Sequence, residues 1–266
     1  MVQSFNLQGI VQAFRVLASP RLMVPNLIVR DIRDINFEQL HKAGIIAIAF
    51  DKDNCLTRPY GKELYPPFED AWKRCKDVYK DQIAIVSNSA GTDDDKNYEQ
   101  ANTIEKALHV HVLRHQRKKP AGGEELLQYF SGIRAPRIAF VGDRALTDVV
   151  YANSHGMLSI LARDVVTEEG DNPMAIRIRR LEHRVLVFLE KMNIKAKPHP
   201  IKIDLLSVVN QLPPPPKSKE EAEASKVMAE ERLAKLQKEA EASEKEKAKS
   251  NPPSNATSKS VASEKK

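Results

Sequence analysis

The sequence is poor in cysteine and lacks the long apolar runs of a membrane-spanning protein. Its two cysteines, Cys55 and Cys75, cannot form a disulfide framework and do not have the paired spacing of zinc ligands. No run reaches the roughly 18 consecutive apolar residues that a transmembrane helix requires. We therefore expect a protein of a reducing compartment that does not span a membrane.

Acidic residues are missing from residues 1–30, which contain Arg15, Arg21 and Arg30. Apolar residues recur there at helical spacing, namely Leu7, Ile10, Val11, Phe14 and Leu17. A basic amphipathic opening of this kind is typical of a mitochondrial targeting sequence or of a helix that lies on a membrane. The alternative is a first helix that packs on the folded domain, and we favour targeting or membrane association.

The central part of the chain lacks a strong charge imbalance. The net charge is +6, yet residues 31–212 carry 27 Lys and Arg against 26 Asp and Glu. A groove that binds nucleic acid needs a local excess of positive charge. We therefore expect no nucleic-acid partner.

The C-terminal part is rich in Pro, Ala, Glu, Lys and Ser, so it has too little apolar surface to form a core. We assign residues 196–216, which include four consecutive prolines, to a linker, and residues 217–266 to a charged helical or disordered tail. Glu and Lys pairs favour one helix over residues 219–248. Val227, Leu233 and Leu236 offer a weak apolar stripe for contact with another protein.

Between these ends, over residues 31–195, strand and helix patterns alternate. Apolar runs predict strands at residues 45–50, 82–86, 109–113, 137–142 and 157–162. Helical patterns lie between the strands, one of them with Cys75 on its apolar face. This alternation favours an α/β fold, a Rossmann-like three-layer sandwich with a central parallel sheet.

A further helix is predicted over residues 172–192. Arg177, Arg179, Arg180 and Arg184 lie there beside an apolar face, and Pro173 suits the first helical turn. We expect the apolar face to pack on the sheet rather than to enter a membrane.

Polar residues follow three of the predicted strands directly. Asp51, Ser87 and Asp143 each come after an apolar run, and Asp53 lies two residues beyond Asp51. Because the carboxyl ends of parallel strands meet at one edge of a sheet, these side chains should converge. Carboxylates held close together repel, and an oxygen-only cluster of this kind suits Mg²⁺ with a substrate phosphate.

The segments DKDNC, VSNSAG, RKKP and VGDRALTD resemble, in this order, the four motifs of the haloacid dehalogenase-like (HAD) phosphatases. The resemblance implies that Asp51 is the nucleophile and Asp53 the general acid and base. It implies that Ser87 hydrogen-bonds the phosphoryl oxygens and that Lys119 neutralises charge, with the adjacent Lys118 as the alternative. The implied Mg²⁺ ligands are Asp51, the backbone carbonyl of Asp53, Asp143 and Asp148.

Residues 5–190 resemble a narrower group, the mitochondrial phosphatidylglycerophosphatases of fungi, on the segments DKDNC, LRHQRKKP and GDRALTDVVYAN. The resemblance implies removal of phosphate from phosphatidylglycerophosphate, on the route to cardiolipin, by a peripheral protein on the matrix side of the mitochondrial inner membrane. It implies a partner that is an anionic phospholipid at a membrane surface. We further expect Asn88, His115, Lys118 and Arg144 to bind the substrate, and Cys55 to be a packing residue.

The motif spacing leaves no room for an inserted cap domain. Between Asp53 and Ser87 lie 33 residues, and between Ser87 and Lys119 lie 31, enough for one helix and one strand each. An uncapped site suits a phosphate presented on a membrane or a macromolecule. A phosphatase of nucleic-acid ends or of another phosphomonoester and a non-catalytic lipid-binding scaffold remain the alternatives. A DxD motif alone also occurs in metal-dependent glycosyltransferases.

Overall fold

Six parallel strands form the sheet of this protein, and a computed structural model describes it over residues 18–204 and 206–210. The strands are β1 (Leu27–Val29), β2 (Ala47–Phe50), β3 (Ile83–Ile85), β4 (His111–Val112), β5 (Ile138–Gly142) and β6 (Leu158–Ala162). Their order is β1-β6-β5-β2-β3-β4, and every neighbouring pair is parallel. The predicted α/β fold with a parallel sheet is confirmed.

Helices connect and cover these strands. The α-helices of the described residues are α1 (Phe37–Lys42), α2 (Glu69–Tyr79), α3 (Glu99–Leu108), α4 (Gly123–Tyr129), α5 (Val150–Ser154) and α6 (Pro173–Lys191). A π-helical turn, Ala145–Val149, leads directly into α5. Within residues 54–86 and 88–118 the α-helices are α2 and α3 alone, so no cap domain is inserted there.

The two faces of the sheet bury different side chains because successive strand residues point to opposite faces. On one face, Phe50 of β2 packs edge-on against Trp72 of α2, with ring centroids 5.4 Å apart. On the other face, Phe140 of β5 packs against Tyr151 of α5 at 4.9 Å. Each face therefore has its own hydrophobic core, which gives the three layers of the predicted sandwich.

The chain reverses its direction of travel across the sheet at β2. From β2 it proceeds to β3 and β4 on one side, and then returns to β5 and β6 on the other. Such a reversal opens a crevice at the carboxyl ends of the central strands, where α/β proteins bind ligands. Residues that follow β2 and β5 are therefore placed side by side.

The folded domain begins earlier than the predicted boundary at residue 31. β1 pairs with β6 at the edge of the sheet, and the amide of Asn26 donates to Oγ of Ser159 at 2.9 Å. Three apolar residues in a row were too short a run to predict as a strand. Residues 1–17, on which the prediction of an amphipathic leader mainly rests, lie outside the described residues.

The predicted linker also packs on the domain where it is described. Val208 is fully buried, and Val209 forms an isolated antiparallel bridge with Ile35. The side-chain amide of Asn210 donates to the carbonyls of Arg33 and Ile35 at 3.0 and 3.1 Å. The segment up to residue 210 is therefore part of the domain, and the predicted charged tail lies outside the described residues.

α6 packs only part of its apolar surface on the domain, with Leu189 buried in a small cluster that includes Met23 and Val150. Met174, Leu181 and Phe188 are exposed, whereas Arg179 and Glu182 are buried beneath the helix. The charged residues are tolerated inside because each one pairs with an oppositely charged residue of the domain. Among the described residues, no helix has the length and apolar character needed to cross a membrane.

Candidate active site

Two aspartates lie side by side at the carboxyl edge of the sheet. Asp51 follows β2 and Asp143 follows β5, and the amide of Asp51 donates to the carbonyl of Val141 at 2.8 Å. Both side chains are almost completely buried. The convergence predicted from the strand ends is therefore observed for these two residues.

Lys119 joins the two motif segments that carry Asp51 and Asp148. Its ammonium donates to Oδ1 of Asp51 at 2.5 Å and lies 2.8 Å from Oδ1 of Asp148. Burial alone would lower the pKa of Lys119, but Asp148 and Asp51 raise it above its usual value. The two carboxylates therefore favour the charged form of Lys119. The neighbouring Lys118 points outward to Asp94, 2.5 Å away.

The buried carboxylates are held at an electrostatic cost. Burial, together with Asp51 and Asp148, raises the pKa of Asp143 well above its usual value. Burial likewise raises the pKa of Asp148 to about 6, although Lys119 opposes this shift. Clustered acids of this kind call for additional positive charge.

The cluster can hold a metal ion. Asp51, Asp143 and Asp148 each offer one oxygen, and these three oxygens lie within 4.8 Å of one another. Oδ1 of Asp148 is buried without a hydrogen-bond partner, because its contact with Lys119 does not have hydrogen-bond geometry. A divalent cation would satisfy that oxygen and offset the repulsion. A set of hard oxygen ligands suits Mg²⁺ or Ca²⁺ better than a soft transition metal.

Gly142, the last residue of β5, allows Asp148 to approach the strand. A Cβ atom on Gly142 would lie only 2.4 Å from Cγ of Asp148, closer than the 3.0 Å that real Cβ contacts respect. The amide of Arg144 then donates to Oδ2 of Asp148 at 3.0 Å. The spacing in VGDRALTD thus brings Asp143 and Asp148 together in the carboxylate cluster.

Asp53 is held beside the cluster by groups that sequence reasoning missed. The buried ammonium of Lys52 and the amide of Tyr60 donate to Oδ1 of Asp53, and Oγ of Ser89 donates to Oδ2 at 3.1 Å. Its side chain is 29% exposed, so one edge faces the cleft. The expected metal contact through the Asp53 backbone carbonyl stays a prediction.

Ser87 lies at the predicted strand end but does not line the cleft. It is 1% exposed, and its Oγ lies 3.0 Å from Oγ of Ser89. It also accepts hydrogen bonds from the amides of Ser89 and Ala90. The hydroxyl that faces the cleft belongs to Ser89, because the turn after β3 carries this later residue to the surface.

Asn88 and His115 support the backbone around Lys119. The side chain of Asn88 accepts from the amide of Lys119 at 2.8 Å and donates to its carbonyl at 3.2 Å. Both ring nitrogens of His115, which is 5% exposed, contact backbone carbonyls, those of Arg117 and Ser87. Asn88 also lines the cleft, whereas His115 lies behind its wall, so the structure does not bring His115 to a substrate.

α6 closes one side of the cleft with three ion pairs. Arg179 donates from Nε to Oδ2 of Asp143 at 2.8 Å and from Nη1 to Asp171 at 3.1 Å. Arg144, expected to bind substrate, lines the cleft but pairs with the buried Glu182 at 2.9 Å. Sequence reasoning missed Arg179, because residues 177–184 contain four arginines. The sequence does not show which of them faces the cleft.

The two cysteines are packing residues, as predicted. Cys55 and Cys75 are free and buried, with 1% and 0% of their surface exposed. Burial, together with Asp51 and Asp143, raises the pKa of the Cys55 thiol well above its usual value. A thiol so far from ionisation is a poor nucleophile.

The site opens into a cleft of about 230 Å³. Its remaining lining residues include Asn54, Pro59, Tyr60, Thr147 and Ala175. A larger groove of about 700 Å³ lies apart from the carboxylates, between β1 and α6. The smaller cleft is the candidate active site because the buried carboxylates and Lys119 border it.

Two relatives show what this chain is similar to. A chloroplastic/mitochondrial phosphatidylglycerophosphate phosphatase 1 of Arabidopsis thaliana is 36% identical over 210 residues, which are 78% of this chain and 60% of the plant protein. A mitochondrial phosphatidylglycerophosphatase of Saccharomyces cerevisiae is 35% identical over 175 residues, 64% of this chain and 93% of the yeast protein. The match thus spans less than two thirds of the plant relative. No solved structure matches the chain.

Residues 7–167 match the family described as mitochondrial PGP phosphatase. The matched range includes Asp51, Asp53, Lys119, Asp143 and Asp148, so it covers the whole carboxylate cluster. It is also more than half of the chain. The chain therefore belongs to the mitochondrial PGP phosphatase family.

Proposed function

We propose that this chain hydrolyses the phosphomonoester of phosphatidylglycerophosphate to give phosphatidylglycerol, a step in cardiolipin biosynthesis. The observation that carries the proposal is the meeting of Asp51, Asp143 and Asp148 with Lys119 at one edge of the sheet. Membership of the family supports the substrate, since the plant and yeast relatives are named for this activity.

In the proposed mechanism Asp51 is the nucleophile. Its carboxylate oxygen attacks phosphorus, the bond from phosphorus to the glycerol oxygen breaks, and an aspartyl-phosphate forms. Water then attacks the same phosphorus and releases inorganic phosphate, which restores Asp51. Lys119, which the neighbouring carboxylates keep protonated, offsets negative charge on Asp51 and on the phosphoryl group.

Asp53 is the proposed proton carrier. It would protonate the leaving glycerol oxygen in the first step and take a proton from the attacking water in the second. Ser89 and the Tyr60 amide orient its carboxylate at the edge of the cleft. In this role Asp53 must reach the ester oxygen on the side opposite Asp51, because the displacement is in line.

The metal in this proposal is Mg²⁺, which Asp51, Asp143 and Asp148 would hold together with the backbone carbonyl of Asp53. When bound, it would supply positive charge to the phosphoryl oxygens and reduce the repulsion between phosphate and carboxylates. Arg179 contacts Oδ2 of Asp143, which leaves the other oxygen of that carboxylate for the metal.

The shape of the cleft favours a phosphate carried on a larger molecule. A volume of about 230 Å³ accommodates a phosphate and part of a glycerol but not two acyl chains. No cap domain covers it within residues 54–118. A lipid whose headgroup enters from a bilayer satisfies both conditions, so we propose a peripheral protein on the matrix side of the mitochondrial inner membrane.

Replacement of the nucleophile tests this proposal. We expect Asp51→Asn to lower phosphate release from phosphatidylglycerophosphate in vesicles by roughly 10⁴-fold or more, because no covalent intermediate can form. Asp94→Asn, which removes an exposed acid that pairs with Lys118, is the matched control and should retain activity. Thermal unfolding of each variant checks that it is folded.

The substrate is tested by running the same assay on three phosphomonoesters. Release from the lipid with Mg²⁺, abolished by EDTA, is the expected result. Hydrolysis of the soluble ester or the phosphorylated oligonucleotide, without hydrolysis of the lipid, would contradict the proposed substrate. It would leave the proposed phosphatase mechanism in place. Full activity of folded Asp51→Asn would remove Asp51 from the role of nucleophile.

A further inference from the structure

The outward side of α6 carries a stripe of exposed apolar side chains. Met174, Leu181 and Phe188 recur every seven residues and are 59%, 55% and 60% exposed, and Met192 continues the stripe with 59% exposure. Seven residues make nearly two turns of an α-helix, so these side chains lie along one line. Few soluble surfaces leave such a line of large apolar groups in water.

A stripe of basic residues runs beside the apolar one. It consists of the exposed residues Arg177, Arg180, Arg184 and Lys191, which follow one another at spacings of three, four and seven. Arg180 pairs with Glu168 at 2.7 Å. In the part of the chain that the structure describes, Arg177 and Arg184 form no ion pair, so their charges face solvent.

The inward side of the same helix is fixed to the catalytic cluster. Arg179 binds Asp143, and Glu182 binds Arg144. These buried ion pairs prevent α6 from rotating to bury its apolar stripe, because rotation would leave four charges unpaired in the interior. The exposed stripe is therefore a fixed feature of the surface.

The inward side of α6 lines the cleft. Ala175 and Arg179, from the first half of α6, line one side of the cleft. Tyr60 lines another part and is 61% exposed. An exposed tyrosine is a common side chain at the boundary between lipid and water.

We propose that the outer face of α6, comprising Met174, Arg177, Leu181, Arg184 and Phe188, docks on an anionic lipid bilayer. The apolar stripe would enter the region between headgroups and acyl chains, while the basic stripe contacts lipid phosphates. This inference rests on the proposed function for its choice of lipid, since the proposed substrate is itself an anionic phospholipid.

Charge decides between a bilayer and a second copy of this chain as the occupant. In a symmetric dimer the same face meets itself, which would bring Arg177 and Arg184 of both copies together. Like charges brought into contact destabilise an interface. Anionic lipid instead supplies the opposite charge along the whole basic stripe, and its apolar layer covers Leu181 and Phe188.

Vesicle flotation with paired variants tests the docking surface. The full chain is mixed with vesicles of phosphatidylcholine alone or with phosphatidylglycerol, and the bound fraction is measured. We expect binding to the anionic vesicles, and we expect Arg177→Glu with Arg184→Glu to weaken it by roughly 30-fold or more, given the attraction of each basic residue for such a surface. Leu181→Ser with Phe188→Ser should weaken binding to a similar degree.

Matched controls come from exposed residues elsewhere. Lys73→Glu with Arg74→Glu on α2 reverses the same amount of charge, and Leu206→Ser removes an apolar side chain that is 87% exposed. We expect both controls to bind vesicles like the unmodified chain. Every variant should hydrolyse a soluble phosphomonoester at the unmodified rate, because none of these residues lines the cleft.

The outcomes separate this inference from the proposed function. Unchanged flotation of both outer-face variants would overturn the docking surface, even if the chain hydrolyses the lipid. Loss of flotation together with no hydrolysis of phosphatidylglycerophosphate by the unmodified chain would keep the surface and reject the substrate. Unchanged flotation combined with a shift in oligomeric state, measured by light scattering, would make this face an interface between copies and overturn the proposal.

Discussion

Lys119 is the buried cation that offsets the negative charge of Asp51 and Asp148. Its side chain is 2% exposed and lies within 2.8 Å of both Asp51 and Asp148. Removal of one partner from a buried ion pair costs about 3 to 5 kcal/mol, because the remaining charge is left without compensation. The lysine therefore contributes to stability as well as to the proposed chemistry.

We expect Lys119→Met to lower the free energy of unfolding by about 3 kcal/mol and to abolish phosphate release. Urea denaturation measures the first effect, and the vesicle assay measures the second. Lys118→Met is the control, since its exposed ammonium makes one surface ion pair with Asp94. Equal effects of the two substitutions would contradict the assignment of the charge to Lys119.

Position along the chain predicts some of these residues and not others. Asp51, Asp143 and Lys119 follow from their places after strands or in a motif, because the backbone fixes where such residues point. Ser89 does not, since only the shape of the turn after β3 shows that it, and not Ser87, faces the cleft. A one-dimensional pattern contains no information on which hydroxyl a turn exposes.

The start of α3 depends on Asp95, a buried carboxylate in the loop that follows β3. Its oxygens accept from the amides of Gly91, Gln100 and Ala101 at 3.0, 2.9 and 2.9 Å. Burial opposes ionisation of Asp95, but these three amides lower its pKa below the usual value. The first amides of a helix have no partner within the helix, so Asp95 joins the loop to α3.

We expect Asp95→Asn to destabilise the protein by about 1 to 2 kcal/mol at pH 7. A carboxylate with a lowered pKa in the folded state stabilises above the usual aspartate pKa of about 3.9, and this contribution is lost as the pH falls through the lowered value. The difference in unfolding free energy between the two proteins should therefore shrink below about pH 4. Denaturation curves from pH 7 to pH 3 measure it, with the exposed Asp93→Asn as control.

α6 shows why the orientation of a helix is harder to predict than its bounds. Its predicted range of residues 172–192 agrees with the observed helix Pro173–Lys191. The expectation that its apolar side packs inward holds for Leu189 but not for Leu181 or Phe188. Arg179 and Glu182 take inward positions instead, because they find charged partners that are distant in sequence. Hydrophobic periodicity assumes that charges face water, and this assumption fails at a site built from buried charges.

The sheet as a whole collects three acidic side chains at one point of the domain. Their ligand oxygens lie within 4.8 Å of one another, and burial with mutual repulsion raises the pKa of Asp143. The fold therefore carries an electrostatic repulsion that a bound cation would reduce. Ligands that bind only the folded state raise its stability in proportion to the logarithm of their concentration.

We expect Mg²⁺ to raise the melting temperature, and the gain in stability should be about 2.7 kcal/mol at a concentration 100 times its Kd. Asp143→Asn should reduce this gain strongly, because it removes a ligand and part of the repulsion. Differential scanning calorimetry with increasing Mg²⁺ measures both proteins, with Asp94→Asn as a control that keeps the triad. An equal rise in all three would place the metal elsewhere.

The position of β1 has a consequence for the order in which the domain is assembled. β1 pairs with β6, and the contact between Asn26 and Ser159 joins residues that are 133 positions apart. Polypeptides are synthesised from the N-terminus, so β1 exists long before its partner does. β1, the first of the six described strands, therefore has no strand to pair with until the chain has been synthesised through residue 162.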